Sequence, residues 1–224
     1  MARSGAGTHS LHITSTIADI GSGPYSMHCF VKSSVAPNQG SYRAAMNIMG
    51  DGTFGTNQSP QNTLYFDHQG SGFPHSAVHR RANDAYDNAQ TTTTPSANTW
   101  YAYGQSHDGS NLRVWLNGVN EATTSSAPST AKSDWLSILN EILSDGTTVQ
   151  SQFSNGEVAE CAFWRAALTA DEFNALAKGF RPTRIRPQSL ASYLPLVRLT
   201  QDLKGFAWTE VNSPTTTDHP RVIG

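Results

Sequence analysis

Charged side chains are scarce in this sequence of 224 residues: Asp, Glu, Lys and Arg make up 14% of it, and the formal net charge is −2. Without an excess of Lys and Arg the chain cannot neutralise a phosphate backbone, so general nucleic-acid binding is excluded. No apolar run approaches the ~20 residues of a membrane span, so we predict no membrane partner. The N-terminal stretch MARSGAGTHS has no apolar core, so we predict no signal peptide.

Cysteine is equally scarce, since Cys29 and Cys161 are the only two in the sequence. Both fall in apolar stretches typical of strands, where buried thiols act as small hydrophobic side chains. With one candidate pair and no secretion signal, we expect both thiols to be reduced. A disulfide is the alternative if their two strands are neighbours.

Ser, Thr, Asn and Gly are plentiful, a composition typical of β proteins with many turns. The alternating stretch Tyr25–Ser33 predicts a strand with Met27, Cys29 and Val31 on one face and His28 on the other. No repeat and no linker divides the chain, so we predict one sandwich domain. Further strands are predicted within residues 11–20, 42–49, 62–68, 76–81 and 83–98.

Residues 100–120 predict a meander, because two strand-like stretches are joined and followed by the turn pairs Asp108-Gly109 and Asn117-Gly118. Residues 134–143 are ambiguous: their apolar positions follow a helical period, and Asp134 could cap a helix. Since a sandwich needs a strand at this point, we predict a strand at residues 135–139, with a helix as the alternative.

The stretch from residue 156 to 196 predicts a buried strand, a short helix and a return strand. Thr169 and Glu172 form the capping-box pattern that begins a helix, and Gly179 and Pro182 are placed to end it. We therefore predict one short helix near residues 170–178.

These features together resemble the laminin-G-like, concanavalin-A-like lectin and glucanase jelly-roll domains. The resemblance covers about residues 11–196 and implies an all-β, antiparallel two-sheet sandwich with one short helix. On either side of the jelly-roll domain (11–196), the small polar residues 1–10 predict a flexible N-terminal arm, and the polar residues 197–224 predict a C-terminal tail that docks on the body or on a partner. The residues that match the family pattern are Trp100, Asp108-Gly109, residues 112–116, Asn117-Gly118, Gly156, Val158, Ala159-Glu160, Trp164, Leu168-Thr169 and Glu172.

The exit of this stretch resembles, more narrowly, jelly-roll proteins encoded by tailed bacteriophages. That resemblance implies a non-enzymatic structural protein of the virion, in capsid decoration or the tail, made in the host cytoplasm. Its partners would be other virion proteins and further copies of itself. The alternative is an adhesin that binds host surface glycans, and a glycoside hydrolase ranks third. The matching residues are Gly179, Pro182, Pro187, Leu190, Tyr193, Pro195-Leu196, Asp202, Gly205 and the terminal HPRV.

Paired carboxylates, which a glycosidase needs on either side of the scissile bond, are missing as a motif. Glu157 and Glu160 are three residues apart, so a regular strand would point them to opposite faces. We interpret Glu160 as a structural residue and predict no catalytic residues.

Metal and cofactor motifs are also missing. Residues 50–55 have dinucleotide-fingerprint spacing, but no helix pattern follows, so we predict a turn there. We interpret His68, His75 and His79 as solvated histidines, because no zinc spacing is present. We predict no metal-binding or cofactor-binding residues, but a calcium site assembled from separate loops stays open. Its available carboxylates would be Asp51, Asp67, Asp84 and Asp87.

Aromatic side chains in polar stretches are the candidates for stacking on sugar rings. They are Tyr42, Phe73, Tyr86 and Trp208, and isolated aromatics of this kind are more often packing caps. Residues 57–59 match a glycosylation acceptor, which carries little weight without a secretion signal.

Overall fold

Strands dominate the computed structural model of the chain. It describes residues 2–5, 10–13, 23–36, 42–50, 61–67, 76–80, 86–128, 133–142, 149–150, 155–196, 201–211 and 215–223. Within these, the strands are β1 (Ala2–Gly5), β2 (Ser10–Ile13), β3 (Tyr25–Ser33), β4 (Arg43–Gly50), β5 (Gln61–Asp67), β6 (Ser76–Arg80), β7 (Tyr86–Gln90), β8 (Tyr101–His107), β9 (Asn111–Leu116), β10 (Val119–Ser125), β11 (Ser133–Ile138), β12 (Glu141–Ile142), β13 (Val149–Gln150), β14 (Gly156–Trp164), β15 (Leu190–Leu194), β16 (Thr209–Val211) and β17 (Thr215–Thr217).

Two antiparallel sheets contain nearly all of these strands. Sheet 1 has the order β10-β9-β8-β3-β14-β1-β17, and β15 also pairs with β14. Sheet 2 has the order β16-β2-β11-β4-β5-β6-β7, and β12 and β13 form a separate short ribbon. Both sheets also pair strands that are distant in sequence, such as β3 with β14 and β2 with β11, as in a jelly roll. The predicted all-β sandwich is therefore confirmed.

The core fills the space between the sheets. Met27, Cys29 and Val31, the predicted inward face of β3, are fully buried in it together with Phe66 of β5 and Phe163 of β14. His28 and Phe30 lie on the opposite face, where their rings meet edge to face at 5.3 Å. The period-2 alternation of this strand was thus a sufficient guide to its orientation.

Both cysteines are free thiols in the core. Their strands β3 and β14 are hydrogen-bonded neighbours, so the neighbour condition for a disulfide is met although no disulfide is formed. Burial raises the pKa of the Cys161 thiol, and the adjacent Cys29 raises it further, so the reactive thiolate is disfavoured.

The ambiguous stretch at residues 134–143 begins as a strand, as predicted. β11 pairs with both β2 and β4, and its Leu136 and Ile138 face the core while Ser137 faces away from it. Tertiary pairing therefore decides a stretch whose apolar positions also fit a helix.

The α-helix α1 (Ala170–Ala177) lies on the outer face of sheet 1, the face turned away from sheet 2, and a 3-10 turn (Pro182–Arg184) follows it. The predicted capping box is formed, since the Thr169 hydroxyl accepts from the Glu172 amide and the Glu172 carboxylate accepts from the Thr169 amide at 2.7 Å. Phe173 stacks on Trp115 of β9 at 4.5 Å between ring centroids. Gly104 of β8 leaves room for Phe173, because a Cβ there would meet its ring at 2.4 Å.

Both ends of the chain contribute strands that the sequence pattern did not reveal. Residues 2–5, inside the predicted flexible arm, form β1 on the edge of β14, and β17 from the C-terminal tail pairs with β1. β16 extends sheet 2 beside β2. These strands are short and polar, so backbone hydrogen bonds form them without an apolar alternation. The predicted boundaries at residues 10 and 196 stay a prediction.

We expect Phe173→Ala to lower the free energy of unfolding by about 3–5 kcal/mol, because it removes a buried ring stacked between α1 and sheet 1. Chemical denaturation measures this loss. The matched control is the exposed neighbour Asn174→Ala, which should change stability by less than about 0.5 kcal/mol. Equal effects of the two variants would contradict this account of α1 packing.

Candidate functional site

A β-bulge in the middle of β14 contains Glu160. The register with β3 shifts between Ala159 and Ala162, and Glu160 has a φ of 52°, a left-handed conformation that is uncommon for a residue other than glycine. On its other edge, β14 pairs with β1 before the bulge and with β15 after it. Glu160 therefore lies where the neighbour of β14 changes from β1 to β15.

The Glu160 side chain is 2% exposed and is surrounded by partners from two other segments. Its carboxylate accepts a hydrogen bond from the Tyr193 hydroxyl of β15 and pairs with His219 Nε2 at 3.1 Å. Its backbone amide donates to the Pro195 carbonyl at 3.4 Å. A buried carboxylate is costly unless it is hydrogen-bonded and paired, and here both conditions hold.

His219, when protonated, balances the charge of this carboxylate. Burial of the ring opposes protonation, but the contacts with Glu160 and with the Pro220 and Pro195 carbonyls outweigh burial and raise the pKa of His219 above its ordinary value. For Tyr193, burial and then the Glu160 charge raise the pKa of the phenol, so this hydroxyl stays a donor.

Glu157 and Glu160 lie on the same face of sheet 1, so the expectation that they point to opposite faces was wrong. The bulge sets Glu160 and Cys161 against the single residue Cys29 of β3, which resets the alternation of β14. Glu157 pairs with Lys32 at 2.9 Å and accepts from the Thr217 hydroxyl at 3.0 Å. Each carboxylate thus has partners of its own within the chain.

His28 lies on the same outer face and is fully buried. Desolvation lowers its pKa to about 3, with a small opposing contribution from the Glu160 backbone. Neither ring nitrogen makes a hydrogen bond of acceptable geometry. His28 is therefore a neutral ring packed beside Phe30.

A second polar cluster joins His107, Ser126 and Asp87 at one end of the sandwich. The Ser126 hydroxyl donates to Asp87 Oδ2 at 2.8 Å and lies 3.2 Å from His107 Nε2. The Gly109 amide donates to His107 Nδ1, and Nε2 also faces the Ser126 carbonyl at 3.2 Å, so the proton of the neutral ring is on Nε2.

That proton position rules out serine activation in this arrangement. A general base must accept the serine proton, but Nε2 is already a donor and the serine donates to the aspartate instead. Burial lowers the pKa of His107, which favours this neutral form. The three residues come from separate strands or strand ends, and no spacing in the sequence could have revealed the cluster.

The carboxylates available for a calcium site are not brought together where the structure describes them. Asp67 ends β5, whereas Asp87 is the second residue of β7 and pairs with His79 of β6, near the other end of sheet 2. Asp51 and Asp84, like His68 and His75, lie outside the described residues. Within the described part of the chain, no three His, Cys, Asp or Glu side chains are grouped so that they could hold a metal ion.

Of the aromatic candidates for glycan stacking, Tyr42 is presented to solvent. It is 39% exposed and its ring lies 5.7 Å from that of Tyr65. Trp208 is half-buried against the core and donates to Asp202 at 3.0 Å, so it is a packing residue as expected. Tyr86 begins β7, and Phe73 and residues 57–59 lie outside the described residues.

Residues that carry the narrower resemblance fasten the C-terminal tail to β15. The Asp202 carboxylate accepts hydrogen bonds from the Ser192 hydroxyl, the Lys204 amide at 2.6 Å and Trp208. The Leu203 amide donates to the Tyr193 carbonyl at 2.9 Å. The motif thus corresponds to a docked segment of the fold.

Comparison with known families agrees with this architecture. The laminin-G profile of the concanavalin A-like lectin/glucanases superfamily matches residues 5–174, and the chain belongs to that superfamily. No characterised protein matches the chain at a significant level of sequence similarity. In the described residues, no helix is long and apolar enough to cross a membrane.

Solved structures show the same fold at low sequence identity. The native heptameric SAP-like pentraxin from Limulus polyphemus is similar with a TM-score of 0.64 at 11% identity, over 96% of this chain and 92% of its own. A putative carbohydrate binding protein from Bacteroides ovatus gives 0.62 at 15%, over 96% and 61%. The botulinum neurotoxin serotype G binding domain gives 0.53 at 9%, over 79% and 41%.

We expect Tyr193→Phe to lower the free energy of unfolding by about 1.5–3 kcal/mol, because Glu160 keeps its buried charge but loses a donor. Thermal or chemical denaturation at pH 6 measures this. The matched control is Tyr101→Phe, whose half-buried hydroxyl accepts from the Ser96 amide at 2.8 Å and should contribute about 1 kcal/mol or less. A Tyr193→Phe loss no larger than that of the control would contradict the assignment.

Proposed function

We propose that this chain is a non-enzymatic binding domain that acts in a tailed-phage virion through protein-protein contacts. The non-enzymatic assignment rests on the contacts of Glu157 and Glu160. Both carboxylates are paired with residues of the chain itself, so they are not a matched acid and nucleophile facing a cleft. The phage assignment is supported by the resemblance of residues 179–205 and of the terminal HPRV to jelly-roll proteins of tailed bacteriophages. Capsid decoration and tail attachment both fit it.

Among the proposed protein-protein contacts, self-association can be tested on the purified protein. Beyond the end of α1, Phe180 is 40% exposed and forms a bridge with Ile223, which is 47% exposed. Val119 is 62% exposed, and the preceding Gly118 packs against Asn174 of α1. Exposed apolar side chains near the same helix favour a protein partner. The heptameric pentraxin with a similar fold supports a homo-oligomer.

Sedimentation velocity over a concentration series should show a homo-oligomer, and Val119→Glu should shift it toward the monomer. Leu203→Glu is the matched control, since Leu203 is 54% exposed but lies on the tail beside β15. Mass spectrometry of purified phage particles should recover the chain as a structural component. A monomer at all concentrations, together with absence from particles, would overturn the proposal.

Glycan binding is the second candidate, because Tyr42 offers an exposed aromatic ring braced by Tyr65. The carbohydrate-binding description of the Bacteroides ovatus protein supports it. It would make the chain an adhesin that binds host surface glycans.

A glycan array, screened with and without calcium, tests this candidate. We expect any hit to weaken about fivefold or more with Tyr42→Ala, taking for a stacked sugar the order of 1–3 kcal/mol that a base stacked on one aromatic contributes. Leu203→Ala should leave it unchanged. An empty array removes the candidate, and release of reducing sugar from a hit would instead overturn the non-enzymatic assignment.

A further inference from the structure

The last described residues of the chain lie across the outer face of sheet 1. The Ile223 amide donates to the Gly179 carbonyl at 2.6 Å, and Ile223 forms a parallel bridge with Phe180. Val222 packs against the apolar cluster of Phe30, Ala102 and Ala159. Residues 219–223, which we call the clasp, therefore cover an apolar patch between β14 and the end of α1.

The fit around the clasp is close. A Cβ at Gly179 would lie 2.8 Å from the Arg221 carbonyl, and Gly179 has a φ of +89°, so a side chain there is excluded for two reasons. At the other end of the clasp, the polar anchor is the His219 ring, held between the Glu160 carboxylate and the Pro195 carbonyl, each 3.1 Å from Nε2. An apolar contact at one end and an ionic contact at the other together hold the segment.

We propose that His219 and Glu160 form a pH-sensitive latch that holds the clasp on sheet 1 while His219 is protonated and releases it when the proton leaves. Only the protonated ring offers a donor at Nε2 together with one at Nδ1, which faces the Pro220 carbonyl at 2.7 Å. A neutral ring has one donor for these acceptors, and it leaves the buried carboxylate without a counter-charge.

The groups near this pair come from several elements. Tyr193 of β15 donates to Glu160. Burial and Glu160 raise the pKa of Tyr193, Arg181, which follows α1, lowers it, and Cys161 of β14 raises it further. His28 of β3 is kept neutral by burial, so it does not titrate in the same range. His219 is therefore the group in this cluster that is expected to lose its proton as the pH rises above the ordinary histidine value of about 6.5.

The sign of the effect follows from the raised pKa of His219 in the docked state. Because docking favours the proton, the stabilisation is complete below the ordinary histidine value of about 6.5 and is lost as the pH rises through the docked pKa. Release at alkaline pH would uncover Phe30, Ala102 and Ala159 beside the exposed Phe180. The latch does not depend on whether the partner of the domain is a protein or a glycan.

The direct test is an NMR titration of the His219 ring, assigned by comparison with His219→Gln. We expect a pKa above 6.5 in the unaltered chain and a fall of about one unit or more in Glu160→Gln, because a near opposite charge commonly shifts a pKa by this amount. A His219 pKa at or below 6.5 in the unaltered chain would overturn the proposal.

The second test does not need a Glu160 variant, which could fail to fold. Trypsin can cleave after Arg221 only when the clasp has detached from sheet 1, because the flanking backbone is packed on Gly179. Loss of the terminal peptide is followed by mass spectrometry from pH 6.5 to 9 and divided by the rate for a free peptide of residues 215–224. We expect the ratio to rise with pH, by up to about tenfold for each unit by which docking raises the His219 pKa.

His219→Gln is the matched control for this test, since its ratio should be high and independent of pH. His219→Lys keeps a charge across the range and creates no new trypsin site before Pro220, so its ratio should also be flat but lower than that of His219→Gln. A pH-dependent ratio in both variants, or a flat ratio in the unaltered chain, would contradict the latch.

Discussion

The buried carboxylate of Glu160 is the constraint on which the outer half of this sandwich depends. It sits at a bulge where the edge of β14 changes partners, so a carboxylate there can be satisfied only by groups from other segments. Tyr193 and His219 supply them, and each brings its own segment into place. Losing either partner would leave a buried charge poorly compensated, which is more costly than the net value of the pair. One side chain thereby couples β15 and the C-terminal clasp to the centre of sheet 1.

The covering of sheet 1 has a consequence for function. Helix α1 seals one part of the outer face through Phe173 and Trp115, and the clasp seals another through Val222. Polar side chains on this face are paired within the chain. Glu157, for example, forms an ion pair with Lys32 and accepts a hydrogen bond from Thr217. Under the proposed function, recognition would use exposed features such as Phe180, which follows α1, and the ring of Tyr42.

Prediction from the sequence was most successful where local chemistry and long-range packing agree. The capping box of α1, the glycine stop at Gly179 and the alternation of β3 each depend on neighbours within a few residues, and all are found as predicted. The terminal strands β1, β16 and β17 could not be predicted, because short polar edge strands depend on an available backbone edge. The Glu160 cluster was missed for a related reason: Tyr193 and His219 are distant in sequence, and the bulge that turns Glu160 toward them interrupts the alternation.

What the sequence by itself determined is the class of scaffold: many alternating strands, one capped helix and turn pairs such as Asn117-Gly118, whose positive φ values the hairpin needs. Local propensities and periodicity encode these features directly. Only the tertiary structure decided the residue faces in β14, the strand state of β11 and the pairing of Glu160 with His219. Those outcomes depend on which strands become neighbours, and on a bulge, a change of one residue in register that no local pattern specifies.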